Sequence, residues 1–184
     1  IIGNMGSDLR VRYNAVGKCI SQADFLESHT VDGQVFASER TISLAKPELE
    51  IRNHHEIISS DFDETISFYS IKGIGYPYDV TINKQKDVTT VVLKKPVRFS
   101  FNRLSYKNIL ADSIEGVIVE ISGKHALIET KETLNMFDNI FCSIPGNVYA
   151  KVTAIYENGF EIDFTSYDEG FNEWFNNVTK GKNQ

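Results

Sequence analysis

The sequence predicts an α+β chain in two parts, a strand–helix–strand half followed by an antiparallel β barrel with a C-terminal helix. Three observations carry that reading. The hydrophobic period changes at Lys18: Arg10, Arg12 and Tyr13 alternate with Leu9, Val11 and Ala15, whereas Ile20, Ala23 and Leu26, with Cys19 beside them, recur at helical spacing. Between Val91 and Ser166 alternating segments follow one another, with Asn158-Gly159 as a hairpin turn signal. Phe171, Trp174, Phe175 and Val178 fall at i, i+3, i+4 and i+7 behind two candidate caps, Ser166 and Asp168.

Composition bounds the function. A chain of 184 residues, 41% hydrophobic and 24% charged, has room for one or two domains and a core. Its net charge is −6, with 6 Arg among 19 basic residues, so it lacks the broad electrostatic footprint of a DNA-binding protein. No apolar run approaches the roughly 20 residues that a membrane-spanning helix needs, and no signal-peptide pattern opens the chain. Cys19 and Cys142 lie far apart without a histidine pattern, which argues against zinc and suits a reducing cytoplasm. Neighbours such as His54 and His55 point to different faces, so no metal site is expected there.

Taken in order, Ile1-Ile2 reads as the end of a buried strand, and Gly3, Asn4 and Gly6 read as a tight turn, because these residues tolerate positive φ. A half-buried strand follows, then a helix from Lys18 to about His29, ended by Asp32-Gly33. Residues 34–38 form a short strand, and Glu39-Arg40-Thr41 begin a small helix or turn. The polar, acidic stretch 46–63 reads as a connection. Residues 66–80 return to strand pattern as a hairpin. Residues 84–90 are a polar linker, which sets domains at 1–83 and 91–184. In the second domain, strands are expected in 91–101, 116–128, N-I-F-C-S-I and 148–166, and the terminal helix should close one mouth of the barrel.

Gly3, Asn4, Gly6, Ser7, Arg10, Tyr13 and Gly17 stand at the spacing of the middle of a class III adenylate/guanylate cyclase domain. Q-V-F-A-S at 34–38 and Lys72-Gly73, Gly75 and Pro77 resemble that family's later strand and closing hairpin, so the resemblance covers about residues 1–82. It implies a cyclase-like, ferredoxin-like half domain and a likeness to chains that work as dimers, hence a homodimer. It also implies that the metal-binding aspartates, and the Mg or Mn they would hold in a catalytic parent, belong upstream of a chain that begins inside a domain. The family's Asn and Arg lie four residues apart on one helix face, where i and i+4 are neighbours. Here those positions are Ser21 and Phe25. Loss of a preorganised transition-state donor costs roughly 2.7–4 kcal/mol, and Phe cannot replace a guanidinium. The resemblance places a purine-selecting role at Asn14 and a purine contact at Lys72; Asn14 equally suits a turn and Lys72 a solvated hairpin.

K-K-P-V-R-F-S-F and G-V-I-V-E-I-S-G-K-H, with strands and a terminal helix after them, resemble a PilZ domain. That family grips cyclic di-GMP with R-x-x-x-R and [D/N]-x-S-x-x-G. Lys94 and Arg98 keep the first spacing, and Glu120, Ser122 and His125 take the Asp, Ser and Gly places. Lys lacks the planar, bidentate grip of Arg, and His adds bulk where backbone would approach a ligand. Lys94, Lys95 and Arg98 also read as solvated charges at a strand's start.

The resemblances together imply an intracellular signalling protein descended from a cyclase, catalytically inactive, with a PilZ-like regulatory or interaction domain. The alternatives are a part of an active adenylate cyclase that converts ATP to cyclic AMP once an upstream half is supplied, and a pair of protein-binding modules without nucleotide.

Overall fold

The computed structural model describes residues 2–7, 10–31, 33–45, 48–59, 62–82, 89–105 and 108–180. Two compact units divide the chain, Ile1–Lys84 and Gln85–Gln184. Of the linker stretch 84–90, residues 84–88 lie outside the described residues. No helix among the described residues is long and apolar enough to cross a membrane.

In the first unit, β1 (Ile2–Ser7) pairs antiparallel with β2 (Arg10–Ala15), from Ile2 opposite Ala15 to Ser7 opposite Arg10. The expected turn at Gly3, Asn4 and Gly6 is strand instead: these residues face Asn14, Tyr13 and Val11 across the ladder. Glycine tolerates extended backbone as well as positive φ, so its presence alone does not fix a turn.

Helix α1 (Lys18–Ser28) begins after Gly17, whose φ of 142° only glycine adopts readily. It ends where the Ser28 and Thr30 hydroxyls donate to the carbonyls of Phe25 and Glu27. The helix span matches the expectation, but its facing does not. Leu26 is buried, whereas Cys19, Ile20 and Ala23 are exposed. The side turned to the rest of the unit is the row Lys18, Gln22, Phe25 and His29, which mixed polarity hides from a hydrophobicity count.

Strand β3 (Phe36–Ser38) runs into α2 (Glu39–Ala45), where the Ser38 hydroxyl accepts the Thr41 N–H. The stretch read as a connection holds an eleven-residue strand, β4 (Leu49–Ser59). It pairs with β5 (Glu64–Ile74), which runs between β3 and β4 and also takes β6 (Val80–Thr81) at its far end. Two register irregularities, at Glu50/Ile51 and Ile51/Asn53, break the alternation of β4 and explain why its pattern was unreadable. Phe68 on β5 is fully buried, and Ala37, Ile42 and Ile71 form a small cluster with Leu49, Tyr69 and Ile82.

The second unit is the expected antiparallel barrel. Strands β7 (Val91–Ser105), β8 (Asn108–Ile121), β9 (His125–Glu129), β10 (Asn139–Cys142), β11 (Val148–Tyr156) and β12 (Gly159–Ser166) close in the order β10-β11-β12-β9-β8-β7. Alternate residues point inward, so Phe101, Ile118, Ile128, Ile140, Val148, Val152 and Phe160 meet in one core. Gly116 lies where an added Cβ would press on Phe99, Phe101 and Ile128. Helix α3 (Glu169–Lys180) is capped by Asp168, whose Oδ1 accepts the Gly170 N–H at 2.9 Å, while Ser166 stays in β12. Phe171 enters the barrel core, with Trp174, Phe175 and Val178 half-buried around it.

Candidate functional site

In the first unit the residues of interest converge on α1 and the β4–β5 hairpin. Lys18 Nζ donates to Glu64 Oε2 at 2.9 Å and Gln22 Nε2 to Glu64 Oε1 at 3.1 Å, one carboxylate holding two successive turns of the helix. The hydrogen bond from Lys18 is the main reason that the Glu64 carboxyl lies below its usual range. One turn on, Phe25 meets Phe62 edge to face, with centroids 5.7 Å apart, and lies against the tilted ring of His29 at 4.2 Å. Ser21, one turn before Phe25, is exposed. The place where the cyclase resemblance puts a guanidinium is thus filled by a ring packed against the hairpin, and Lys18, two turns earlier on the helix, is already engaged. Sequence reasoning did not find the Glu64 clamp, because its members lie 46 and 42 residues apart.

Lys72 is exposed and pairs with Glu50, Nζ to Oε2 3.2 Å. An exposed pair of this kind contributes about 0–1 kcal/mol. Asn14 lies on β2 opposite Gly3, and its side chain falls outside the described part of the structure.

His54 and His55 separate as expected of strand neighbours. His54 lies against Tyr69, its Nε2 2.8 Å from the Ser67 hydroxyl, and His55 lies against Phe68 and Phe36. Among the described residues no three His, Cys, Asp or Glu side chains are grouped to hold a metal. Burial, and secondarily the neighbouring His54, lowers the pKa of His55 from its ordinary value. The unfolded chain then binds a proton more readily than the folded one, so stability is full above about pH 6.5 and falls as the pH drops through the lower folded value. An NMR titration should place the His55 midpoint below that of an ordinary histidine. His55→Phe should lessen the loss of stability between pH 7.5 and 5.5 in urea unfolding, and an equal loss in both proteins would refute the assignment.

In the second unit, β7 carries three extra residues between Val92, opposite Glu120, and Val97, opposite Ile118. Lys94 sits in this irregular segment, and Arg98 returns to the ladder opposite Val117; both are exposed. Ser122 is fully buried, and its hydroxyl is committed to a turn. Oγ accepts the N–H groups of Lys124 and His125 at 3.1 and 2.9 Å and lies 3.0 Å from His125 Nδ1. His125 Nε2 in turn lies 2.8 Å from the Thr90 hydroxyl. Glu120 stands beside Leu127 of β9, with Glu161 on that residue's other side. The pKa of the Tyr156 phenol, which donates to Glu161 Oε2 at 3.3 Å, is raised by its own desolvation first and then by Glu161 and Glu120.

No family model matches this chain, and no curated protein matches it. Among solved structures, that of the guanylyl cyclase Cya2 is similar to part of it, with 26% identity, a TM-score of 0.43, and coverage of 45% of this chain and 42% of that one. The chain therefore spans less than half of that protein's length.

Proposed function

We propose that this chain is part of a signalling protein descended from a class III nucleotide cyclase, that its cyclase-like half no longer turns over nucleotide, and that its barrel is a PilZ-like regulatory or interaction module. The observation that carries the reading is the face of α1. A helix that served a triphosphate would present open cations, whereas here Phe25 packs on Phe62 and Lys18 is bound to Glu64. The motif run from Gly3 to Gly17 supports descent, and the departures at Ser21 and Phe25 support loss of catalysis. On the barrel, Glu120 and Glu161 on either side of Leu127 and the turn-bound Ser122 support a protein-facing role over tight binding of cyclic di-GMP. Self-association through the cyclase-like half belongs to the same proposal, because β1 and β2 form a two-stranded sheet among the described residues, and a lone hairpin is marginal in water.

The test incubates the chain with ATP or GTP and manganese. No cyclic product is expected above a heat-killed control, and Phe25→Arg is expected to remain inactive; product that survives repurification would overturn the inactive reading. Sedimentation of the same sample as a 20.8 kDa species alone would remove the self-association.

A further inference from the structure

The β5–β6 turn displays the most exposed aromatic pair of the first unit's described residues. Tyr76 is 85% and Tyr78 67% accessible, on either side of Pro77. Val80 and Ile74, opposite each other in the β5–β6 ladder that the turn closes, are 56% and 37% accessible and add apolar surface next to it. The backbone beneath is closed by hydrogen bonds: the Gly75 N–H donates to the Glu48 carbonyl at 2.7 Å, and the N–H groups of Tyr78 and Asp79 donate to the Gly75 carbonyl at 2.9 and 3.1 Å. Tyrosines on such a turn offer large contact area while little further freedom is lost on binding.

The charge around the rings selects the occupant. Glu50 spends Oε2 on Lys72, while its Oε1 comes within 3.8 Å of where a Gly75 Cβ would stand, at the foot of the turn. Asp79 follows directly after Tyr78. A ring face attracts a cation through its quadrupole, and a carboxylate at the foot of the turn adds to the attraction. The same carboxylate, on a chain of net charge −6, repels phosphates and anionic lipid headgroups.

We infer that the Tyr76–Pro77–Tyr78 turn is a docking platform for a protein segment in which arginine or lysine alternates with apolar residues, the cations stacking on the two rings and the apolar groups covering Ile74 and Val80. The platform uses none of the residues of the α1 face, so it stands whether or not the chain cyclises nucleotides.

The probe is a capped hexapeptide alternating arginine and leucine, titrated into the isotope-labelled full chain and followed by amide resonances. Saturable shifts centred on residues 74–80 are expected, weakening as salt is raised. Tyr76→Ala/Tyr78→Ala should weaken binding by roughly tenfold or more, whereas Tyr76→Phe/Tyr78→Phe, which keeps both rings, should stay within about threefold of wild type. Resonances elsewhere report whether each variant keeps its fold. The inference is overturned if the shifts never saturate or lie elsewhere, if the alanine pair binds as well as wild type, or if a glutamate–leucine peptide binds as well as the arginine one. Binding to vesicles of phosphatidylserine and phosphatidylcholine that moves the same resonances would assign the patch to a membrane and overturn it equally.

Discussion

Replacing Phe171 by alanine should cost the barrel unit about 3–5 kcal/mol, the range for a large aromatic removed from a packed core. Phe171 is 1% exposed, and its ring lies among four others: Tyr167 at 4.5 Å, Phe164 at 4.8 Å, Trp174 at 5.8 Å and Phe175 at 6.0 Å. Removing it takes away the side chain by which α3 enters the barrel and leaves a space that a closed sheet cannot collapse to fill. For a unit of this size each kcal/mol should lower the thermal midpoint by roughly 4–8 °C. The aromatic cluster is plain in the sequence, and Trp174 is its largest member; the structure nevertheless gives the anchoring role to Phe171 and leaves Trp174 half-buried. Trp174→Ala should therefore shift the midpoint clearly less than Phe171→Ala. Unfolding followed by near-ultraviolet circular dichroism compares the two directly, and a larger loss at Trp174 would show that the helix is seated differently.

That ranking marks where sequence reading succeeds and where it stops. Barrel strands are legible because each has one wet and one dry face, so the period of two survives in segments such as Gly159–Ser166. The terminal helix is legible for the corresponding reason at 3.6 residues per turn, and Asp168 stands at its cap position. Strand β4 was not legible, because its two register irregularities scramble the alternation and residues 52–56 are an unbroken polar run. The facing of α1 was misjudged: Ile20 and Ala23 look like a core stripe, but Glu64 and Phe62, brought in by a distant hairpin, hold the other side. At the candidate sites the substitutions themselves, Phe25 and His125 above all, could be read from motif spacing. Their consequences could not, since Phe25 on Phe62 and His125 on Thr90 are tertiary contacts.

Gly146→Ala should be among the most damaging single-methyl additions in the barrel unit. Gly146 lies between β10 and β11 with φ +105°, a region that L side chains enter at a cost of about 1–3 kcal/mol. Space is short as well. An added Cβ would fall onto the backbone nitrogen of Phe171 and within 2.7 Å of its Cα. The two segments are bound there by other contacts: the Asp168 N–H donates to the Gly146 carbonyl at 2.8 Å, and Asn147 Nδ2 donates to Asp168 Oδ2 at 2.7 Å. To make room, the start of α3 must lift and loosen these bonds, and overpacking of this kind typically adds about 1–3 kcal/mol. The two contributions together come to roughly 2–6 kcal/mol, a large share of the 5–15 kcal/mol that holds a typical domain folded. Gly33→Ala separates the contributions, because Gly33 has φ +76° but nothing within 4 Å of an added Cβ, so only the conformational cost applies. Nor should Phe171→Ala rescue Gly146→Ala, since the obstruction includes the backbone nitrogen and Cα of residue 171, which every residue type retains. Urea midpoints of the two glycine variants and of the double variant decide the matter. Should Gly146→Ala lose no more stability than Gly33→Ala, or should the double variant recover what the single one lost, the start of α3 is not held against this turn by its backbone.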